Sequence, residues 1–151
     1  MSENNNEEIL LLKKEVNFAV KLLTNGQINE ALKIVEVLVK KSPNAPLLFN
    51  IRGVCYQTLK ELGKAIDDFR QATILKSDYA EAYCNLGVTY QEKGDLVNAV
   101  NAYKNAIDND NNYPTAHNYL GKILLASGEI DSSIKHLEHA ITLKPDFDDA
   151  Y

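Results

Sequence analysis

At 151 residues, with 45% hydrophobic and 25% charged side chains, the chain has the composition of an ordinary folded protein and lacks the bias of a disordered one. Its formal net charge of -5, from 21 acidic against 16 basic residues, excludes a general electrostatic attraction to nucleic acid or to an anionic membrane. No apolar run approaches the roughly 20 residues of a membrane helix, and the acidic start MSENNNEE is unlike a secretory leader, so a cytoplasmic location is expected.

In chain order, residues 1–6 offer no apolar anchor and are expected to form a disordered tail, with residues 7–151 as a single domain. From Glu7, Ile9, Leu12, Val16, Ala19 and Leu23 recur at helical spacing, and Asn25-Gly26 ends this helix where glycine supplies a left-handed cap. A second helix runs to about Val39, followed by the joint Ser42-Pro43-Asn44-Ala45. Phe49, Gly53 and Tyr56 mark a third helix, and Ala65, Phe69 and Ala72 a fourth. The stretch from Ala80 to Tyr113 is clearest. Tyr83, Leu86, Gly87 and Tyr90 keep helical spacing, Gly94-Asp95 interrupts, and Ala99, Tyr103 and Ala106 resume the period. His117, Leu120, Gly121, Leu124, Leu137 and Ala140 repeat the pattern. Asp148-Asp149-Ala150-Tyr151 aligns with Ala80-Glu81-Ala82-Tyr83, so a fifth unit is read as starting at 148 and the chain as the N-terminal part of a longer one.

Gly53, Gly87 and Gly121 stand 34 residues apart, as do Ala31, Ala65, Ala99 and Ser133. A fixed period of this length means stacked helical hairpins rather than one central core. The repeats fall at about 12–45, 46–79, 80–113 and 114–147. The aromatic place holds Phe49, Tyr83 and His117, the leucine place Arg52, Leu86 and Leu120, and the later aromatic place Phe69, Tyr103 and Leu137. The unit resembles the tetratricopeptide repeat, whose pattern runs aromatic, Leu-Gly, Tyr, Ala, aromatic, Ala, Pro. The resemblance implies an all-α fold, a right-handed α-α superhelix, and a non-enzymatic module that binds a protein or peptide in its concave groove. At the joints, Asn44, Asp78, Asn112 and Asp146 are expected to cap the following helices, with Tyr79, Tyr113 and Phe147 as staples and Pro46 and Pro114 in first turns.

If Tyr83, Gly87 and Tyr90 face the second helix of their hairpin, Cys84, Val88 and Gln91 form the neighbouring stripe. In the family this stripe lines the concave surface. The same places hold Asn50, Val54 and Gln57 in the second repeat and Asn118 and Lys122 in the fourth, with Asn85 beside them. Amides there would bond a peptide backbone while valines contact small apolar side chains. Members of the family that bind chaperone tails carry a clamp of lysine, asparagine and arginine; here those places hold Asn50, Val54, Asn85, Thr115 and Tyr119, so such tails are not expected ligands. Arrays preceding O-GlcNAc transferases carry an asparagine ladder, which Asn17 and Asn85 match and Ile51 and Tyr119 do not. Substrate recruitment for a glycosyltransferase or a sulfotransferase-like enzyme is therefore an alternative role. Self-association through Ile134, Leu137 and Ile141 on the uncapped last helix is another.

No enzyme, cofactor or metal reading stands beside these. Cys55 and Cys84 lack any CxxC or Cys/His setting and are read as reduced thiols. His136 and His139 have zinc-like spacing but no evident third ligand, so a solvated helix face is expected, with His117 as a packed ring. The run from Asp108 to Asn112 resembles the start of a calcium loop, yet Tyr113 replaces the turn glycine and Tyr119 the closing glutamate. The tyrosines fall on packing places, which argues against a nucleic-acid platform.

Overall fold

The computed structural model describes residues 2–145, with side chains from residue 5. The described residues form eight α-helices and no strand. The chain divides between Leu75 and Lys76 into two compact units. The first contains α1 (Ser2–Thr24), α2 (Ile28–Lys41), α3 (Pro46–Thr58) and α4 (Leu62–Leu75); the second contains α5 (Ala80–Glu92), α6 (Leu96–Asn109), α7 (Pro114–Ala126) and α8 (Ile130–Leu143). Helix starts keep the sequence period: Ile28, Leu62, Leu96 and Ile130 are 34 residues apart, as are Pro46, Ala80 and Pro114.

Each hairpin turn is built the same way. In α1 the N–H of Gln27 donates to Leu22 O and that of Gly26 to Leu23 O, and the same pair of bonds closes α3, α5 and α7. This pair of hydrogen bonds satisfies the last helical carbonyls and needs a left-handed residue at the turn. Gly26, Gly94 and Gly128 supply it at φ 79°, 84° and 85°. In the second repeat the same place is filled by Lys60 at φ 63°, the non-glycine residue that takes this conformation.

Two expectations at helix starts are corrected. α1 is helical from Ser2, so the expected tail of residues 1–6 is part of the helix from residue 2 onward. Acidic residues are compatible with this end, where the helix dipole favours negative charge. The N-cap positions of α3, α5 and α7 are Ala45, Tyr79 and Tyr113, none with a capping side chain, in place of Asn44, Asp78 and Asn112. Asn112 instead gives its N–H to Asp110 Oδ1 within the loop. Asp146 and Phe147 lie outside the described residues. A side-chain cap does form at Asp95 on α6, which accepts from the N–H of Asn98 at 3.1 Å.

The hairpins close over their glycines. A Cβ placed on Gly53 would lie 2.7 Å from the Phe69 ring, on Gly87 2.6 Å from the Tyr103 ring, and on Gly121 2.8 Å from Leu137. Each glycine admits the large side chain of the second helix, as the repeat pattern requires. In the second unit Cys84, Ala99, Tyr103, Ala106, Ala116 and Leu120 form the core, with Tyr83, Val88 and Tyr113 against it. In the first unit Leu22, Ala31 and Cys55 form a cluster bordered by Ile28 and Leu32. Ser133, at the small-residue place of the last repeat, is wholly buried and donates its hydroxyl to Gly121 O at 2.8 Å.

Candidate functional site

The stripe expected to face a partner divides by burial. On α3, Val54 and Gln57 are half-buried, whereas Asn50 is buried at 2% exposure. On α5, Asn85, Val88 and Gln91 are half-buried. Cys84 is 2% exposed and sits in the apolar core beside Ala116 and Leu120, so it is a packing residue, because α7 covers that side of α5. On α7, Lys122 is exposed and Asn118 is buried at 2%.

Gln91 and Asn118 differ in how their amides are used. The Tyr103 hydroxyl donates to Gln91 Oε1 at 2.9 Å, which leaves the Gln91 NH2 group for other partners. That hydroxyl is held by burial well above its usual range, so it remains a donor. Asn118 Oδ1 is buried and accepts no hydrogen bond. Leaving such an acceptor unmade costs about 1–3 kcal/mol, recoverable if a donor reaches it.

Gln91 and Lys122 also border a cleft of about 590 Å³ whose wall is apolar: Leu96, Val97 and Val100 from α6, and Ile123 from α7. Val97 is 74% exposed and Leu96 51%. Stripe reasoning confined to first helices misses this surface. The available signal was Val97 and Val100, β-branched residues flanking the buried Ala99 place in the second helix.

Two polar joints were also missed. Arg52, the residue that breaks the leucine place, donates through Nε and a terminal nitrogen to both carboxylate oxygens of Asp68, each at 2.7 Å. Asp68 is buried, and the guanidinium lies 5.3 Å from the Phe49 ring centre. The pairing raises the Arg52 pKa further. The second joint corrects the expectation of a solvated histidine face. His136 and His139 are half-buried and turn toward His117 on α7, with ring centres 5.2 and 4.4 Å away. His117 itself is a packed ring, 4% exposed.

Burial pushes the thiols of Cys55 and Cys84 up to about 11 and about 12, so both are poor nucleophiles. Among the described residues no three histidine, cysteine or acidic side chains are placed to hold a metal ion. No described helix is long and apolar enough to cross a membrane.

Comparison with known proteins agrees with this architecture. Family models described as "TPR repeat" match residues 56–94 and 89–128, and one described as "Tetratricopeptide repeat" matches residues 114–147. No curated protein sequence matches the chain. Among solved structures, MamA is 22% identical with a TM-score of 0.79, over 89% of this chain and 78% of that one. TTC0263, a thermophilic TPR protein of Thermus thermophilus, is 21% identical with a TM-score of 0.77, over 89% and 75%. Cut9 with Hcn1, from the APC/C, is 20% identical with a TM-score of 0.80, over 90% of this chain but 28% of that one. At these identities the likeness shows the fold, the all-α solenoid of helical hairpins. Repeats of this kind generally mediate protein–protein interaction and are generally non-enzymatic. With model matches running from residue 56 to 147 and hairpins in the same 34-residue register, the chain belongs to the tetratricopeptide-repeat family.

Proposed function

We propose that the second unit docks an extended peptide segment of another protein along α5 and α7, as a cytoplasmic binding module that makes and breaks no covalent bond. The observation that carries this reading is the apolar cleft bordered by Gln91 and Lys122. An extended segment presents alternate side chains to one face, so one apolar side chain would enter between Val97, Val100 and Ile123. The Gln91 amide would donate to the peptide backbone beside it, with Lys122 at the rim; Asn118, buried at 2%, lies beneath this path and stays out of reach of the peptide. Asn85 and Val88 border the same path on α5. Val54 and Gln57 hold the matching places on α3 and would contact a partner of the first unit, whereas Asn50 is buried beneath them. Small numbers of well-placed polar groups around an apolar depression are what fix orientation in such sites.

The test is selection of peptides from a random phage-displayed library against the purified chain, followed by anisotropy measurements on the enriched peptide. Val97→Lys, at a solvent-facing position, is expected to weaken binding by on the order of tenfold or more with unchanged helicity. Asn118→Ala is expected to keep or raise thermal stability, because it removes an unsatisfied buried acceptor. Equal affinity of the wild type and Val97→Lys would overturn the assignment of the cleft.

A further inference from the structure

The three histidines of the second unit do a job that neither packing nor the cleft accounts for. His117 Nε2 and His139 Nε2 lie 3.0 and 3.1 Å from the same backbone carbonyl, Asn111 O. A carbonyl only accepts, so both nitrogens carry their protons. His117 Nδ1 is then left as the acceptor of its 2.9 Å contact with His136 Nδ1, and His136 must donate. The tautomers of all three rings are thereby assigned by the network. With these roles filled, the rings bind each other and the α6–α7 loop rather than a metal ion.

The pair tolerates one added proton but not two. A proton on His117 Nδ1 reverses the bond, with His136 switching tautomer to accept. A second proton puts two N–H groups face to face at 2.9 Å and two cations in contact, in a half-buried site. The charged group reaching the pair from α6 is Lys104, and the titratable neighbour on α8 is His139; positive charge on either opposes further protonation of the pair. Burial acts in the same direction on His117 and His136, which are both shifted below the ordinary histidine value.

We propose that His117, His136 and His139 form a pH-sensitive joint of the fourth repeat, holding α7 and the α6–α7 loop on α8 when neutral and releasing them when His117 and His136 are both protonated. The sign follows from linkage: the unfolded chain binds more protons near the ordinary histidine value than the folded one, so stability is full above about pH 6.5 and declines as pH falls below it. Among the second, third and fourth repeats the joint is particular to the fourth, since the places of His117 and His136 hold Tyr83 and Ala102 in the third and Phe49 and Asp68 in the second. There Asp68, 68 residues before His136, meets Arg52 in an ion pair that neither loses nor gains a proton near pH 6 to 7 on the guanidinium side.

The proposal does not depend on the peptide cleft. Its test uses the full chain, by NMR titration of the histidine rings together with urea unfolding at pH 7.5 and pH 5. His117 and His136 are expected to titrate as a coupled pair whose second proton is taken up clearly below the free imidazole value. His117→Phe, which places there the residue found at Phe49 in the second repeat, should remove most of the histidine-linked response. The wild-type folding constant is expected to fall on the order of tenfold more than that of the variant between the two pH values. Identical pH dependence of wild type and variant, or independent titration of the two rings at ordinary values, overturns the proposal.

Discussion

Arg52 and Asp68 offer the sharpest test of how the repeat plan tolerates polar residues. The third repeat fills the same two places with Leu86 and Ala102, both buried. The local backbone is therefore able to host an apolar pair. In the second repeat the guanidinium and carboxylate meet in two hydrogen bonds of 2.7 Å, with side chains 21% and 7% exposed. Taking two charges out of water costs nearly as much as their attraction returns, whereas removing one partner strands the other. Arg52→Leu leaves the Asp68 carboxylate buried without its fork of donors. Breaking a buried pair in this way costs about 3–5 kcal/mol, and the water that reaches Arg52 sets the cost here toward the lower end. Asp68→Ala costs less, about 1–2 kcal/mol, because the long arginine stem can carry its charge outward. The double variant Arg52→Leu with Asp68→Ala is expected within about 1 kcal/mol of the wild type, or above it. Urea unfolding followed by far-UV dichroism measures all four proteins, with an unchanged slope as the check that the same surface unfolds. If Arg52→Leu alone lies within about 0.5 kcal/mol of the wild type, or if the double variant is as unstable as the sum of the singles, the reasoning fails.

Two further predictions concern glycine places. Gly87→Ala puts a Cβ against the wholly buried Tyr103 ring, whose hydroxyl is tied to Gln91; overpacking of about 1–3 kcal/mol outweighs the helix propensity gained, so its melting temperature should drop. Gly63→Ala, also helical but with open space around it, is the control and should gain roughly 0.5–1 kcal/mol. At the α3 turn, Lys60→Gly relieves the left-handed strain that the other repeats avoid and should raise stability by up to about 1 kcal/mol in the same unfolding assay; a loss would show that the lysine side chain holds the turn.

The sequence alone determined the hairpin count, the 34-residue register and the turns at Gly26 and Gly94. Those features depend on local chemistry and on a period that any one repeat shares with its neighbours. Tyr83, Gly87 and Tyr103 were legible because their spacing assigns each to one face of one helix. The partners across a hairpin were not. Arg52 was placed only as the occupant of a leucine place, and His136 as a solvated residue, since Asp68 and His117 come into reach only when two helices are laid side by side. Burial of Cys84 likewise belongs to the tertiary structure: helical spacing put it on the stripe beside the packed face, and the arrival of α7 made that stripe part of the core. The apolar cleft has the same origin, since its walls come from α6 and α7 and exist only where the second helix of one repeat meets the first helix of the next.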